Sequence, residues 1–209
     1  AGLSFQSQNL IKVNAHETPI HARELKKVAQ VVPNVLFEFL GRKIREGELV
    51  VIHGQPGVGK TTTVIRALPC GSVYLSTEIG QQVFLSIVDK WRENDDIYFG
   101  FGYDPMHVIS VLQTHPARVF AIDSYQHIVF NQLIDGDIMV KLIKEICAKS
   151  SKVVLIVSHE NRRDELGMAR IYRYTSLAQL STKVVRIYRA QDEIRHKWEK
   201  DNYEGLFGT

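Results

Sequence analysis

The stretch Gly54-Gln55-Pro56-Gly57-Val58-Gly59-Lys60-Thr61-Thr62 fills the spacing G-x-x-x-x-G-K-[ST] with Gly54, Gly59, Lys60 and Thr61. Each residue type meets a demand of triphosphate chemistry. Glycines let successive backbone N–H groups turn inward on phosphate oxygens, Lys60 places a point charge between the β and γ positions, and the Thr61 hydroxyl is a ligand for Mg²⁺. A helix from Thr62 to Leu68 directs its N-terminal dipole at the same anion. A glycine turn without a nucleotide has the same letters, so the apolar run before it, Leu49 to His53, and the helix after it supply the distinguishing context. ATP and Mg²⁺ are the ligands this predicts.

Such a loop needs a second Mg²⁺ anchor, expected as an acid ending a buried strand beside it. Arg118-Val119-Phe120-Ala121-Ile122-Asp123-Ser124 supplies one, placing Asp123 at the carboxyl edge of a sheet, where α/β proteins bind ligands. A carboxylate there also suits the cap of a following helix. Ser72-Val73-Tyr74-Leu75-Ser76 is followed by Glu78, within reach of a water in line with a γ-phosphate, although a first-turn helix carboxylate has the same placement. A further strand, Val153 to Val157, ends in Ser158-His159-Glu160-Asn161. His159 there has two readings, structural or γ-phosphate sensing.

These residues need a scaffold that brings several strand ends together. Short apolar runs at Leu49 to His53, Val73 to Ser76, Ile97 to Phe101, Val119 to Ile122, Val153 to Val157 and Val184 to Tyr188 alternate with helical spacing at Ile79 to Trp91, Pro105 to Thr114 and Asp137 to Lys149. Continuous apolar strands separated by helices predict an α/β fold with a largely parallel sheet covered on both faces. Val184 to Arg189 and Ile194 to Lys200, joined by Ala190 to Glu193, predict a closing antiparallel hairpin. Residues 1–35 lack this rhythm, with only Ile20 to Val32 helical in pattern, and are expected to form an N-terminal arm on a core spanning 36–209.

The order of the motifs resembles the RecA superfamily of ATPases, within it the RadA/Sms and DnaB-like branch, over about Gly47 to Gly208. GELVVIHGQPGVGKTT, VYLSTE, VFAIDSYQ and VVLIVSHENR carry the likeness. The resemblance implies a RecA-like P-loop NTPase fold, Glu78 as catalytic base, Asp123 in the metal shell, and the Gln126 and His159 region as a γ-phosphate relay. It also implies a head-to-tail homo-oligomer, ring or filament, in which a terminal hairpin inserts a basic group into the neighbour's site. Lys200 fits that group; Asn202 stands where the family has arginine, leaving Arg195 and Lys197 as substitutes.

Charge adds a partner. The net charge is +3; residues 1–161 balance 16 Lys+Arg against 16 Asp+Glu, whereas residues 162–209 carry 10 against 7. The segment from Arg162 to Ser176 contains Arg162, Arg163, Arg170, Arg173, Tyr172 and Tyr174, cations for phosphates interleaved with rings for base stacking. Intersubunit ion pairs are the alternative use of those arginines. The first 30 residues are too polar for a signal peptide, no apolar run is long enough to span a bilayer, and two cysteines build no metal framework, so a cytoplasmic protein is expected. The functional expectation is an ATP-hydrolysing motor on single-stranded DNA. A KaiC-like regulatory ATPase with protein partners and a small-molecule P-loop kinase are the rivals.

Overall fold

The computed structural model describes residues 19–28, 32–102, 104–130, 135–161, 170–171 and 175–207. A short helix, α1 (Ala22–Val28), precedes a hairpin of β1 (Val35–Phe39) and β2 (Arg42–Arg45). Leu40 and Gly41 turn that hairpin with φ of 46° and 78°, the twist a two-residue turn requires. Then follow β3 (Leu49–Gly54), α2 (Lys60–Ala67), β4 (Ser72–Ser76), α3 (Gln81–Trp91), β5 (Ile97–Phe101), α4 (Pro105–Thr114), β6 (Val119–Asp123) and α5 (Tyr125–Phe130). The chain continues through α6 (Gly136–Ser150), β7 (Val153–Asn161), β8 (Arg170–Ile171), α7 (Thr175–Leu180), β9 (Lys183–Ala190) and β10 (Glu193–Asp201).

The main sheet has the order β10-β9-β3-β7-β6-β4-β5. All neighbouring pairs are parallel except β9 with β10; β8 pairs antiparallel with the end of β7. Along β3, Leu49 and Val51 pack on one face with α4, α5, α6 and α7, while Val50 and Ile52 pack on the other with α2, α3 and the β1–β2 hairpin. Burial on both faces explains why these strands read as unbroken apolar runs. Each such side chain contributes roughly 1.5–3 kcal/mol.

Helix starts follow local capping chemistry. Asp104 accepts from the Met106 amide at 2.9 Å ahead of Pro105, and Asp135 accepts from the Asp137 amide at 2.8 Å. At the end, Gln191 and Asp192 alone form the turn between β9 and β10, with φ of 51° and 63°. That turn is shorter than the four residues expected.

The structure differs from the expected layout in three places, the first of which concerns the site. The strand carrying Asp123 is not beside the loop strand: β7 lies between β3 and β6. The start of the core holds a β hairpin that the strand pattern did not predict, with Trp198 Nε1 donating to the Leu40 carbonyl at 3.1 Å and so tying it to β10. The predicted helix from Ile20 to Val32 is confined to Ala22–Val28 within the described residues.

Candidate active site

The loop between β3 and α2 starts at Gly54, where a Cβ would lie 2.3 Å from the Ile187 carbonyl oxygen of β9, so only glycine permits the close approach of these two strands. It ends at Gly59, whose φ of 91° puts it in the left-handed region as the N-cap of α2. Gln55, Pro56, Gly57 and Val58 lie between them, and Lys60, Thr61 and Thr62 form the first turn of the helix. Lys60 Nζ donates to the Gly54 carbonyl at 2.6 Å and the Gln55 carbonyl at 2.8 Å, and lies 3.4 Å from His159 Nδ1. Burial lowers its pKa against the opposing charges of Asp123 and Glu78.

Asp123 ends β6 fully buried, followed by a cis peptide bond to Ser124. Its Oδ2 accepts from Thr61 Oγ1 at 2.5 Å and from Tyr74 Oη at 2.5 Å. The side chain therefore turns to the loop and β4 rather than capping α5. Oδ1 is buried without a hydrogen-bond partner among the described residues. Burial raises the Asp123 pKa, with the two hydroxyl donors opposing. A buried carboxylate oxygen left unsatisfied beside the Thr61 hydroxyl suits a hard divalent cation, so the residues present fit Mg²⁺.

Glu78 lies ahead of α3, outside the helix. Its Oε1 accepts from Ser124 Oγ at 3.0 Å and pairs with His159 Nε2 at 2.5 Å, with His127 Nδ1 at 3.7 Å. Burial acts to raise its pKa, but hydrogen bonds from His159 and Ser124 and the nearby imidazoles outweigh it, so the carboxyl titrates below its ordinary range. Gln126 is buried; its Oε1 accepts from the His159 amide at 3.3 Å and its Nε2 has no partner among the described residues.

Four strand ends thus bring together Lys60, Thr61, Glu78, Asp123 and His159. Lys200 is not among them. Its ammonium donates to the Ala178 and Gln179 carbonyls at 2.9 and 3.0 Å, capping the last turn of α7 within its own chain. Arg162, Arg163, Tyr172, Arg173 and Tyr174 lie outside the described residues; of Arg170 only the backbone is described, paired with Asn161.

Sequence reasoning overlooked Tyr74, Ser124 and His127. The hydroxyl in the apolar run SVYLS was a usable signal, since a buried tyrosine oxygen requires a polar partner. Beside the loop an open cavity of ≈ 660 Å³ is lined by Leu40, Thr62, Arg66, Ala67, Trp91 and Ile194. Arg66 lies over the Trp91 ring, 5.4 Å from its centroid.

This arrangement defines a RecA-like P-loop NTPase fold. The chain is similar to the solved flagellar accessory protein FlaH from Methanocaldococcus jannaschii, with a TM-score of 0.58 and 16% identity over 75% of this chain and 80% of FlaH. No protein-family model and no curated protein matches the sequence. The likeness supports the RecA-like fold and not the narrower RadA/Sms or DnaB-like branch. With 611 solved chains matching, so widespread a fold does not choose the activity, which must be argued from the site. Among the described residues no helix is long and apolar enough to cross a membrane.

Proposed function

We propose that the chain is a Mg²⁺-dependent ATPase whose hydrolysis is coupled to single-stranded DNA in a homo-oligomer. The observation carrying the hydrolytic part is the convergence of Lys60, Thr61, Asp123 and Glu78 at neighbouring strand ends, with Asp123 Oδ1 unpartnered among the described residues. Mg²⁺ at Thr61 and Asp123 supplies neutralising charge for the transferred phosphoryl group. Lys60 exchanges the Gly54 and Gln55 carbonyls for phosphate oxygens. Ser124 and His159 occupy Oε1 of Glu78, which leaves Oε2 to take the proton of the attacking water. The cavity against Thr62, Arg66 and Trp91 takes the nucleotide base.

Coupling to DNA is supported by the basic, tyrosine-bearing composition after β7, the strand that carries His159. Assembly is supported by the exposed cations of β10, Lys197 and Arg195, the latter 3.3 Å from Glu193 at the hairpin's tip, whereas Lys200 is engaged with α7. Phosphate release measured with Mg²⁺ and ATP, with and without a single-stranded oligonucleotide, is the test. Turnover absent in both conditions overturns the ATPase; turnover indifferent to DNA overturns the coupling and leaves the regulatory ATPase with protein partners.

A further inference from the structure

From Glu78, His127 and His159 we infer a second metal site, a three-ligand cluster for a zinc-class divalent cation, whose charge on Oε1 makes the Glu78 carboxylate a weaker base and so slows hydrolysis. One ligand atom from each residue lies within 4.8 Å of the other two. The ligands come from different elements: Glu78 follows β4, His127 is on α5 and His159 is on β7. The closest approaches are Glu78 Oε1 to His159 Nε2 at 2.5 Å and to His127 Nδ1 at 3.7 Å. Tetrahedral zinc with bonds of about 2.0–2.2 Å spaces its ligands roughly 3.3 Å apart, a spacing that the 2.5 and 3.7 Å approaches bracket.

The chemistry distinguishes this site from the Thr61 and Asp123 pair. Two imidazoles and one carboxylate select zinc, cobalt or nickel over magnesium, which prefers oxygen. Supporting bonds already aim the ligands: Ser124 Oγ donates to Glu78 Oε1, and the His159 amide donates to Gln126. Thr77 Oγ1, 3.0 Å from His127 Nδ1, has the Asp123 and Ser124 carbonyls at 3.3 and 3.4 Å as other acceptors, so the ring nitrogen can be released. Metal on His159 Nε2 moves the ring proton to Nδ1. Lys60 loses only its 3.4 Å contact there and keeps its two loop carbonyls.

The His127 side chain is 43% exposed and those of Glu78 and His159 are 23% exposed, so an ion reaches the cluster from solvent. Three protein ligands leave an open position for water or a phosphate oxygen. Metal binding rests on this geometry alone. Its effect on hydrolysis rests on the proposed role of Glu78.

Titration of the full chain with Co²⁺, which reports nitrogen and oxygen ligation in the visible spectrum, tests binding. A saturable d–d band, displaced by Zn²⁺ and weakened at least about 10-fold in affinity by His127→Asn, is expected. No band, or an equal one in His127→Asn with unaltered circular dichroism, overturns the site. In the second arm micromolar Zn²⁺ inhibits ATP turnover of the wild type and spares His127→Asn, each protein being scored against its own zinc-free rate. Equal inhibition of both, or none despite a bound metal, overturns the regulatory half. A chain without ATPase activity overturns the proposed function, while the Co²⁺ spectrum still decides the site.

Discussion

Thr61 and Asp123 are joined by a 2.5 Å hydrogen bond from Oγ1 to Oδ2 although β7 separates β6, which Asp123 ends, from β3, which leads into the loop before Thr61. Thr61 reaches this point because α2 begins directly above the end of β3, and Asp123 because it is the last residue of β6. Asp123→Asn replaces one carboxylate oxygen by a donor and removes the negative charge that balances a cation. Apparent Mg²⁺ affinity is expected to fall about 10- to 100-fold, with nucleotide affinity falling alongside. ATPase rates across a Mg²⁺ series check this, and an unshifted Mg²⁺ midpoint overturns the metal assignment.

Tyr74→Phe removes the other donor to Asp123 Oδ2 while keeping the ring stacked on Phe84, with centroids 5.6 Å apart. Hydrogen bonds to charged groups contribute about 1.5–3 kcal/mol, so unfolding in urea is expected to shift by that amount. Because burial already raises the Asp123 pKa, loss of the donor raises it further. An unchanged urea midpoint would show that Thr61 alone satisfies the acid.

Lys60→Ala is expected to abolish ATP turnover with the melting profile retained, since its ammonium is the loop's charge for β/γ-phosphate. Glu78→Gln is expected to slow turnover by about 10² to 10⁴ while nucleotide still binds. Binding is read from the fluorescence of Trp91, which lines the cavity beside Thr62. A normal rate in folded Glu78→Gln moves water activation to another group.

His53 gives a pH prediction independent of catalysis. It is buried at the end of β3 against Glu160 of β7 at 3.2 Å and Glu199 of β10, while Arg186 of β9 donates to Glu160 at 3.0 Å. Burial lowers the His53 pKa, but the two carboxylates outweigh it and raise it above 6.5. Its contribution to stability is therefore complete below pH 6.5 and lost as pH rises through the folded value. Glu160 is shifted down, burial being outweighed by His53 and Arg186, so its contribution is present above pH 4.5 and lost as pH falls through its lowered value. Melting temperature should decline on the alkaline side of pH 6.5, and His53→Gln should flatten that decline; identical profiles would remove His53 as its source.

The parallel strands were legible because burial on both faces leaves continuous runs such as VVLIV, and the phosphate loop because its function lies in adjacent residues. The β1–β2 hairpin was not: RKIR buries Ile44 and Arg45 amid charges, which masks the alternation of a strand. Nor was the partner of Lys200, since hydrogen bonds to Ala178 and Gln179 join positions far apart in the chain with no local periodicity. Tyr74, Ser124 and His127 escaped for the same reason; their roles exist only once β4 and β6 lie side by side.

The coupling to DNA has its own signature in salt. If Arg162, Arg163, Arg170 and Arg173 each neutralise one phosphate, affinity for a single strand should fall with salt at a log–log slope near about −3, taking about −0.7 per contact. Removing two of the arginines should cut that slope roughly in half. Tyr172→Ala or Tyr174→Ala should cost about 1–3 kcal/mol with little change in slope, because stacking releases no counterions. Arginines used for intersubunit ion pairs behave differently: their loss lowers oligomer mass in light scattering and leaves any DNA affinity with its original slope. Fluorescence anisotropy of a labelled oligonucleotide over a salt series, paired with ATPase rates, separates these outcomes. Binding indifferent to salt and to all of these substitutions eliminates the segment after β7 as the strand-gripping element.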